Sequence, residues 1–324
     1  MRTSVTKYLL SFIVKIILLS FFFLILIHPG LSIHFAADGL ILWYQTVIPT
    51  LLPCMILSSL LVQTNAAKGL ISFLHPIIGR LLGTSPNGTY CFLIGLLCGY
   101  PMGAKTCADM LRSKKISLKE GTYLMAFIHF PSPMFVIGYI ASSHLVLFSP
   151  LPILAAIYLP LIPMVFLAKR TFRPQTSCFS PNAQEPAPIN LTPALMDEII
   201  ASCSSIMIKI GIFIMLFTML VKFILNAPIP SGDTPFSILF TGIFCGLLEM
   251  TTGIGLAAQT ELPILIKGCL ICFFAAFGGL SVAMQTQSVL SGSELSIKPY
   301  FLWQFLHGLF SIPFFLLFYT VTPH

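Results

Sequence analysis

Two short stretches decide the fold: GLLCG at Gly95–Gly99 and GIFCG at Gly242–Gly246. Both carry the pattern G-x-x-C-G inside an apolar run that is short and rich in glycine. A regular spanning helix needs about 20 consecutive apolar residues, so neither run forms one cleanly. Their cysteines, Cys98 and Cys245, lie 147 positions apart. The pair therefore indicates that one structural unit occurs twice in this chain.

The surroundings of the two stretches repeat at the same spacing. Gly121 then matches Gly268, Phe127 matches Phe274 and Phe130 matches Phe277, and the breaks Pro131-Ser132-Pro133 and Gly278-Gly279 coincide. Each half has a long apolar run, a short Gly-rich segment, a broken helix and a closing apolar run. We therefore predict an N-terminal transmembrane anchor helix (1–35), a first repeat (36–170), a cytoplasmic Pro-rich linker (171–195) and a second repeat (196–324).

The composition places these elements in a membrane. The chain has 324 residues, of which 56% are apolar and 8% charged, with a mean hydropathy of +0.95. A soluble domain carries roughly 25% charged residues, so a soluble enzyme, a nucleic-acid-binding module and a disordered protein are excluded. The net charge of +7 comes from Lys and Arg in short loops, which is typical of membrane topology. We predict an all-α polytopic protein of the cell membrane, whose main partner is the lipid bilayer.

The charges also predict the topology. If Thr89–Ala104 crossed the membrane, the basic stretch Lys105–Lys119 would lie outside, against the positive-inside bias. A re-entrant segment keeps that stretch inside. In the second half Pro235–Ala258 would enter from outside, because acidic residues flank it. This predicts an inverted repeat with about seven spanning helices and two re-entrant hairpins, a cytoplasmic N-terminus and an external C-terminus.

Broken helices offer a site for a polar solute. Irregular backbone at membrane depth is tolerated where it is buried in protein or lines a wet cavity, and many transporters bind substrate there. Glu249 is the one acid deep in an apolar stretch, so it is a functional candidate, or else a carboxylate that holds the hairpin backbone. The predicted substrate-binding residues lie at the hairpins and breaks: Gly99, Gly103, Lys105, Ser132, Glu249, Gly279 and Gln285.

Several of these residues have simpler interpretations. Lys105 is four positions from Asp109, the spacing of a surface ion pair on a helix. Ser132 and Gln285 suit either a neutral solute or hydrogen bonds between helices. Lys209 is a possible partner of Glu249, or a lysine that reaches the interface. His129, beside the first break, is more simply a satisfied core residue.

Signatures of catalysis and of cofactors are missing. The sequence has no H-E-x-x-H, no G-x-S-x-G and no nucleotide-binding motif. Most of the nine cysteines lie in apolar runs, and Cys269-x-x-Cys272 has no His or acid nearby. We expect no enzyme activity, no metal site, no cofactor and no nucleic-acid partner.

The motif GLLCGYPMGAK, Gly95–Lys105, resembles the YlbJ-type sporulation integral membrane proteins of the wider nucleoside-recognition "Gate" domain group. Further matching stretches are Leu40–Leu61, KISLKEG, FPSPMFVIGY (Phe130–Tyr139), GLLEMTTG and FGGLSVAMQ. One departure is His129-Phe130 before the Ser-Pro motif, where the family pattern has Asn. The resemblance implies a role in endospore formation and a fold akin to the gating domains of nucleoside transporters.

Two functional hypotheses follow. The first is a transporter or gated conduit for a small polar, nucleoside-like solute. The second is a non-transporting scaffold for spore envelope assembly, with partners on Lys105–Lys119 or on the linker. Homo-oligomers or other sporulation membrane proteins are possible partners in either case.

Overall fold

The computed structural model describes residues 2–64, 66–146, 149–173, 191–227 and 235–321. All regular structure in these ranges is helical, which confirms an all-α polytopic protein. The Pro-rich linker predicted at 171–195 lies mostly outside the described residues.

Sixteen α-helices form the described part of the chain. They are α1 (Arg2–Ile27), α2 (Pro29–Leu42), α3 (Ile48–Gln63), α4 (Ala67–Leu82), α5 (Pro86–Cys98), α6 (Met102–Arg112), α7 (Leu118–Leu124), α8 (Pro133–Phe135), α9 (Pro150–Tyr158), α10 (Leu161–Phe172), α11 (Pro193–Asn226), α12 (Pro235–Leu248), α13 (Met250–Gln259), α14 (Ile264–Phe277), α15 (Gly279–Leu290) and α16 (Ile297–Val321).

Five helical segments of the described chain are long and apolar enough to cross a membrane: Pro29–Leu61, Pro150–Phe172, Pro193–Asn226, Ile264–Leu290 and Ile297–Thr320. The predicted N-terminal anchor lies in α1, a helix of 26 residues that is apolar over Ser11–Ile27. The segment 121–140 is broken between α7 and α8, as its prolines indicated.

The helix that carries Pro49 and Pro53 stays continuous. A π-helical turn, Trp43–Val47, joins α2 to α3 without an interruption. A π turn is a common way to absorb a distortion of the helical hydrogen-bond ladder. The indole of Trp43 donates a hydrogen bond to the Met207 carbonyl of α11 at 3.0 Å, so this turn is fixed against α11.

The predicted domain limit after residue 35 lies within α2, and this limit stays a prediction. The chain leaves the helical conformation at His28, and Pro29 then begins α2, because proline suits the first turn of a helix. In the structure Ser32 bonds the His28 carbonyl at 2.8 Å, and Asp38 pairs with Lys222 of α11.

Both Gly-rich segments form helical hairpins. The first has arms α5 and α6 with its tip at Gly99–Pro101, and the second has arms α12 and α13 with its tip at Glu249. A Cβ on Gly103 would lie 2.9 Å from the Cα of Gly95, and one on Gly253 would lie 2.2 Å from the Cα of Gly246. Glycine is therefore required where the arms cross. This geometry agrees with the predicted hairpins, whereas their direction in the membrane stays a prediction.

Each half also contains the predicted broken helix. In the first half the irregular segment 125–132 separates α7 from α8. In the second half Gly278, with φ of +75°, separates α14 from α15. The order of hairpin and break is therefore the same in both halves.

Candidate functional site

The two hairpin tips and the two helix breaks meet at one place. Within the first half, the Tyr100 amide donates to the Phe130 carbonyl at 2.9 Å. Within the second half, Gly279 faces the carbonyls of Leu247 and Leu248 at the end of α12. Between the halves, the Tyr100 hydroxyl lies 2.6 Å from the sulfur of Met250 and donates to the Ala275 carbonyl at 3.3 Å.

A cavity of about 30 Å³ lies at this meeting point. Its polar lining comes from both tips and both broken helices: Tyr100, Ser132, Glu249, Thr251 and Gln285. Apolar side chains of the π turn, α3 and α11 close the remaining wall, among them Val47, Leu51 and Ile214. Three of the seven residues predicted from the sequence are thus brought together around one cavity.

Glu249 is both a structural cap and a cavity residue. It is 1% exposed and is the N-cap of α13. Its Oε2 accepts hydrogen bonds from the Thr252 amide at 2.6 Å and the Thr251 hydroxyl at 2.5 Å. Within the described residues, both of these bonds use one oxygen, which leaves Oε1 available to a solute. The two interpretations offered by the sequence are therefore compatible.

Ser132 and Gln285 occupy the broken helices of the first and second half. The Ser132 hydroxyl caps the short helix that follows it by accepting from the Phe135 amide at 3.2 Å. The Gln285 side-chain amide donates to the Ser281 hydroxyl at 3.2 Å. Both side chains are buried. Hydroxyl, amide and carboxylate groups together supply donors and acceptors for a small polar solute.

The three predicted glycines shape the site and do not line it. Gly99 has φ of +73°, and a Cβ there would lie 2.4 Å from the Ser132 amide nitrogen. Gly103 packs against Ile128, and Gly279 against the carbonyls at the end of α12. Their missing side chains allow the tips to approach the breaks.

Lys105 lies outside this cavity. It pairs with Asp109 at 2.8 Å, and Asp109 also pairs with Arg112 at 2.7 Å, so the expected surface ion pair is present. Lys105 instead lines a second, larger cavity of about 130 Å³ between α3 and the first hairpin. Ser58, Gln63 and Tyr90 contribute to the lining of this second cavity.

Lys209 is exposed on α11 and makes no ion pair among the described residues, so it is not the partner of Glu249. Sequence reasoning also missed Tyr100 and Thr251. Tyr100 follows the positive-φ glycine at the first tip, and Thr251 follows the capping acid by two residues. Their positions beside a predicted break in a helix could have indicated that these two side chains line the site.

No three His, Cys, Asp or Glu residues in the described part of the chain are grouped so as to hold a metal ion.

Comparison with known proteins supports the resemblance drawn from the motifs. The chain is similar to the "Sporulation integral membrane protein YlbJ" of Bacillus subtilis (strain 168), with 25% identity over an alignment of 340 residues that covers 94% of this chain and 83% of that protein. Neither a protein-family model nor a solved structure matches the chain. The similarity confirms the resemblance to YlbJ-type proteins, and with the five long apolar helices it shows a multi-pass integral membrane protein.

Proposed function

We propose that this protein is a transporter or gated conduit that moves a small polar solute across a membrane during endospore formation. The sporulation setting rests on the name of the similar Bacillus subtilis protein. The observation that carries the transport proposal is the cavity where two hairpin tips and two helix breaks meet, with Glu249, Ser132 and Gln285 in its lining. Backbone breaks at the interface of two repeats are how many transporters build a solute site.

A path from this cavity is suggested by α3. Leu51 lines the first cavity, Ser58 lines the second, and Met55 lies between them and is fully buried. Residues at this spacing share one face of a helix. Cys98 packs in the same cluster and bonds to Ser58 at 3.0 Å. In the proposed mechanism, this flexible Met and Cys packing separates the two cavities and moves when a solute passes.

The size of the first cavity sets a condition on the solute. A cavity of about 30 Å³ holds about two water molecules, since each needs roughly 10–15 Å³. A nucleoside-like solute is much larger, so its binding requires the tips and the breaks to move apart. The described conformation then corresponds to a closed state. The narrower form of our proposal is that the solute is nucleoside-like. Small carboxylates and amino acids are the solute classes whose binding should be compared with that of nucleosides.

The test is a thermal-stability screen of the purified protein against nucleosides, bases, amino acids and small carboxylates. A solute at 100 times its dissociation constant stabilises a reversibly unfolding protein by about 2.7 kcal/mol. We expect a stabilising class, and we expect Glu249→Gln to lose that stabilisation while remaining folded. The matched control is Glu261→Gln, because Glu261 is an exposed carboxylate outside the cavity.

The screen also separates the two hypotheses. A solute that stabilises the protein and the Glu249→Gln variant equally would contradict the proposed site. No stabilisation by any class would favour a non-transporting scaffold, and capture of partners from sporulating cells would then be the next experiment.

A further inference from the structure

The closing helix α16 carries a polar stripe that faces the interior. Tyr300, Gln304, His307 and Ser311 are each fully buried, and their spacing places them on one face of the helix. Polar and ionisable groups at membrane depth are costly, and they are functional candidates by default. The solute cavity does not include any of these four residues.

This polar stripe contacts both helix breaks. The His307 ring lies 5.5 Å from the ring of His129 in the first break, measured between centroids. Gln304 lies at the second break, where a Cβ on Gly278 would come within 2.9 Å of its Nε2. Movement of either break therefore changes the surroundings of α16.

The two nitrogens of His307 both face carbonyl oxygens. Nε2 lies 2.8 Å from the Ile157 carbonyl of α9, and Nδ1 lies 3.3 Å from the His129 carbonyl of the first break. A neutral imidazole has one N–H and one lone pair, so it satisfies only one of these acceptors. The protonated ring has two N–H groups and donates to both.

Two polar side chains near His307 are not committed to other hydrogen-bond partners. The ring nitrogens of His129 and the side-chain amide of Gln304 are buried without a hydrogen bond of good geometry in the described residues. The elements packed around His307 carry these titratable side chains: His129 on the break, Tyr158 on α9, Lys267, Cys269 and Cys272 on α14, and Lys298, Tyr300 and Tyr319 on α16 itself. In the described part of the chain, no ion pair includes His129 or His307.

We propose that His307 is a proton-binding site and that its occupancy is coupled to the position of the first helix break. The proton comes from water and adds to whichever ring nitrogen lacks one. Burying the resulting charge is costly, and the two charge-assisted bonds to carbonyls offset that cost. If the His129 carbonyl moves away, one of those bonds is lost and the proton is released. Protonation therefore stabilises the described, closed arrangement, independently of which solute is carried.

The test begins with the unchanged protein, labelled with ¹⁵N-histidine and followed by NMR from about pH 9 to about pH 5, the range in which imidazoles titrate. We expect the His307 ring to change from one protonated nitrogen to two. His307→Gln assigns the signal, and His307→Asn serves if that variant does not fold. His129→Gln is the matched control, because it keeps the backbone carbonyl that His307 contacts. One protonated nitrogen at every pH in this range would overturn the proposal.

Coupling to the break has its own readout. Amide hydrogen exchange of residues 125–132, corrected for its intrinsic pH dependence, should show less protection as the pH rises. We expect this pH dependence to disappear in His307→Gln and to persist in His144→Gln, which alters a partly buried histidine of another segment. Protection that stays independent of pH while His307 titrates would contradict the coupling.

Discussion

At the residue scale, Glu249 shows how one side chain can serve structure and recognition together. The break in the second hairpin occurs at this residue, and its Oε2 satisfies the free amide of Thr252. The carboxylate can be buried because these hydrogen bonds offset the cost of removing it from water. Sequence reasoning identified the acid from its apolar surroundings. It did not establish the cap, because capping depends on where the helix ends.

This dual role predicts different effects for two substitutions of Glu249. Glu249→Ala removes the cap and should lower the free energy of unfolding by about 0.5–2 kcal/mol. Glu249→Asp keeps a good capping group and should cost less, although its shorter side chain withdraws from the cavity. Thermal or denaturant unfolding in detergent measures which of the two variants is the more stable. Equal stability of the Ala and Asp variants would show that the cap contributes nothing.

At the element scale, the hairpins and breaks were predictable because glycine, proline and a buried acid interrupt apolar runs. The register of the repeat was not. The sequence aligns Gly95 with Gly242, but in the structure Gly246 takes the role of Gly95 at the arm crossing, and Gly242 has open space around it. The shift is about one helical turn. A motif match does not reveal it, because the crossing point is set by packing of the two arms.

The arm crossing predicts opposite outcomes for two glycines of α13. In Gly253→Ala the new Cβ would lie 2.2 Å from the Cα of Gly246, and overpacking of this kind costs about 1–3 kcal/mol. In Gly255→Ala the Cβ meets nothing within 4 Å, so the better helix propensity should stabilise by up to about 1 kcal/mol. Unfolding midpoints of the two variants compare them directly. A neutral Gly253→Ala would mean that the arms do not cross at this glycine.

At the scale of the whole molecule, contacts between distant segments divide the helix ends into two groups. Arg112, the last residue of α6, donates to the Ser291 carbonyl at 2.7 Å, and Lys169 donates to the Leu81 carbonyl at 2.6 Å. Each of these segments carries Lys or Arg, so the positive-inside rule predicts that they lie on the cytoplasmic side. With a cytoplasmic N-terminus, α1 leads to the external side, where α2 begins and Asp38 pairs with Lys222. The structure thus groups the segments as the charge pattern does, although charge alone predicts which group faces the cytoplasm.

That prediction is decided by reporters fused after Lys119 and after residue 324. Most described basic residues at helix ends belong to the group with Arg112 and Lys169, which the positive-inside rule places in the cytoplasm. We expect a reporter after Lys119 to be cytoplasmic, because a re-entrant first hairpin returns the chain to the side it left. We expect the C-terminal reporter to be external. An external reporter after Lys119 would mean that α5 and α6 cross the membrane together, and the inverted relation of the two repeats would then be wrong.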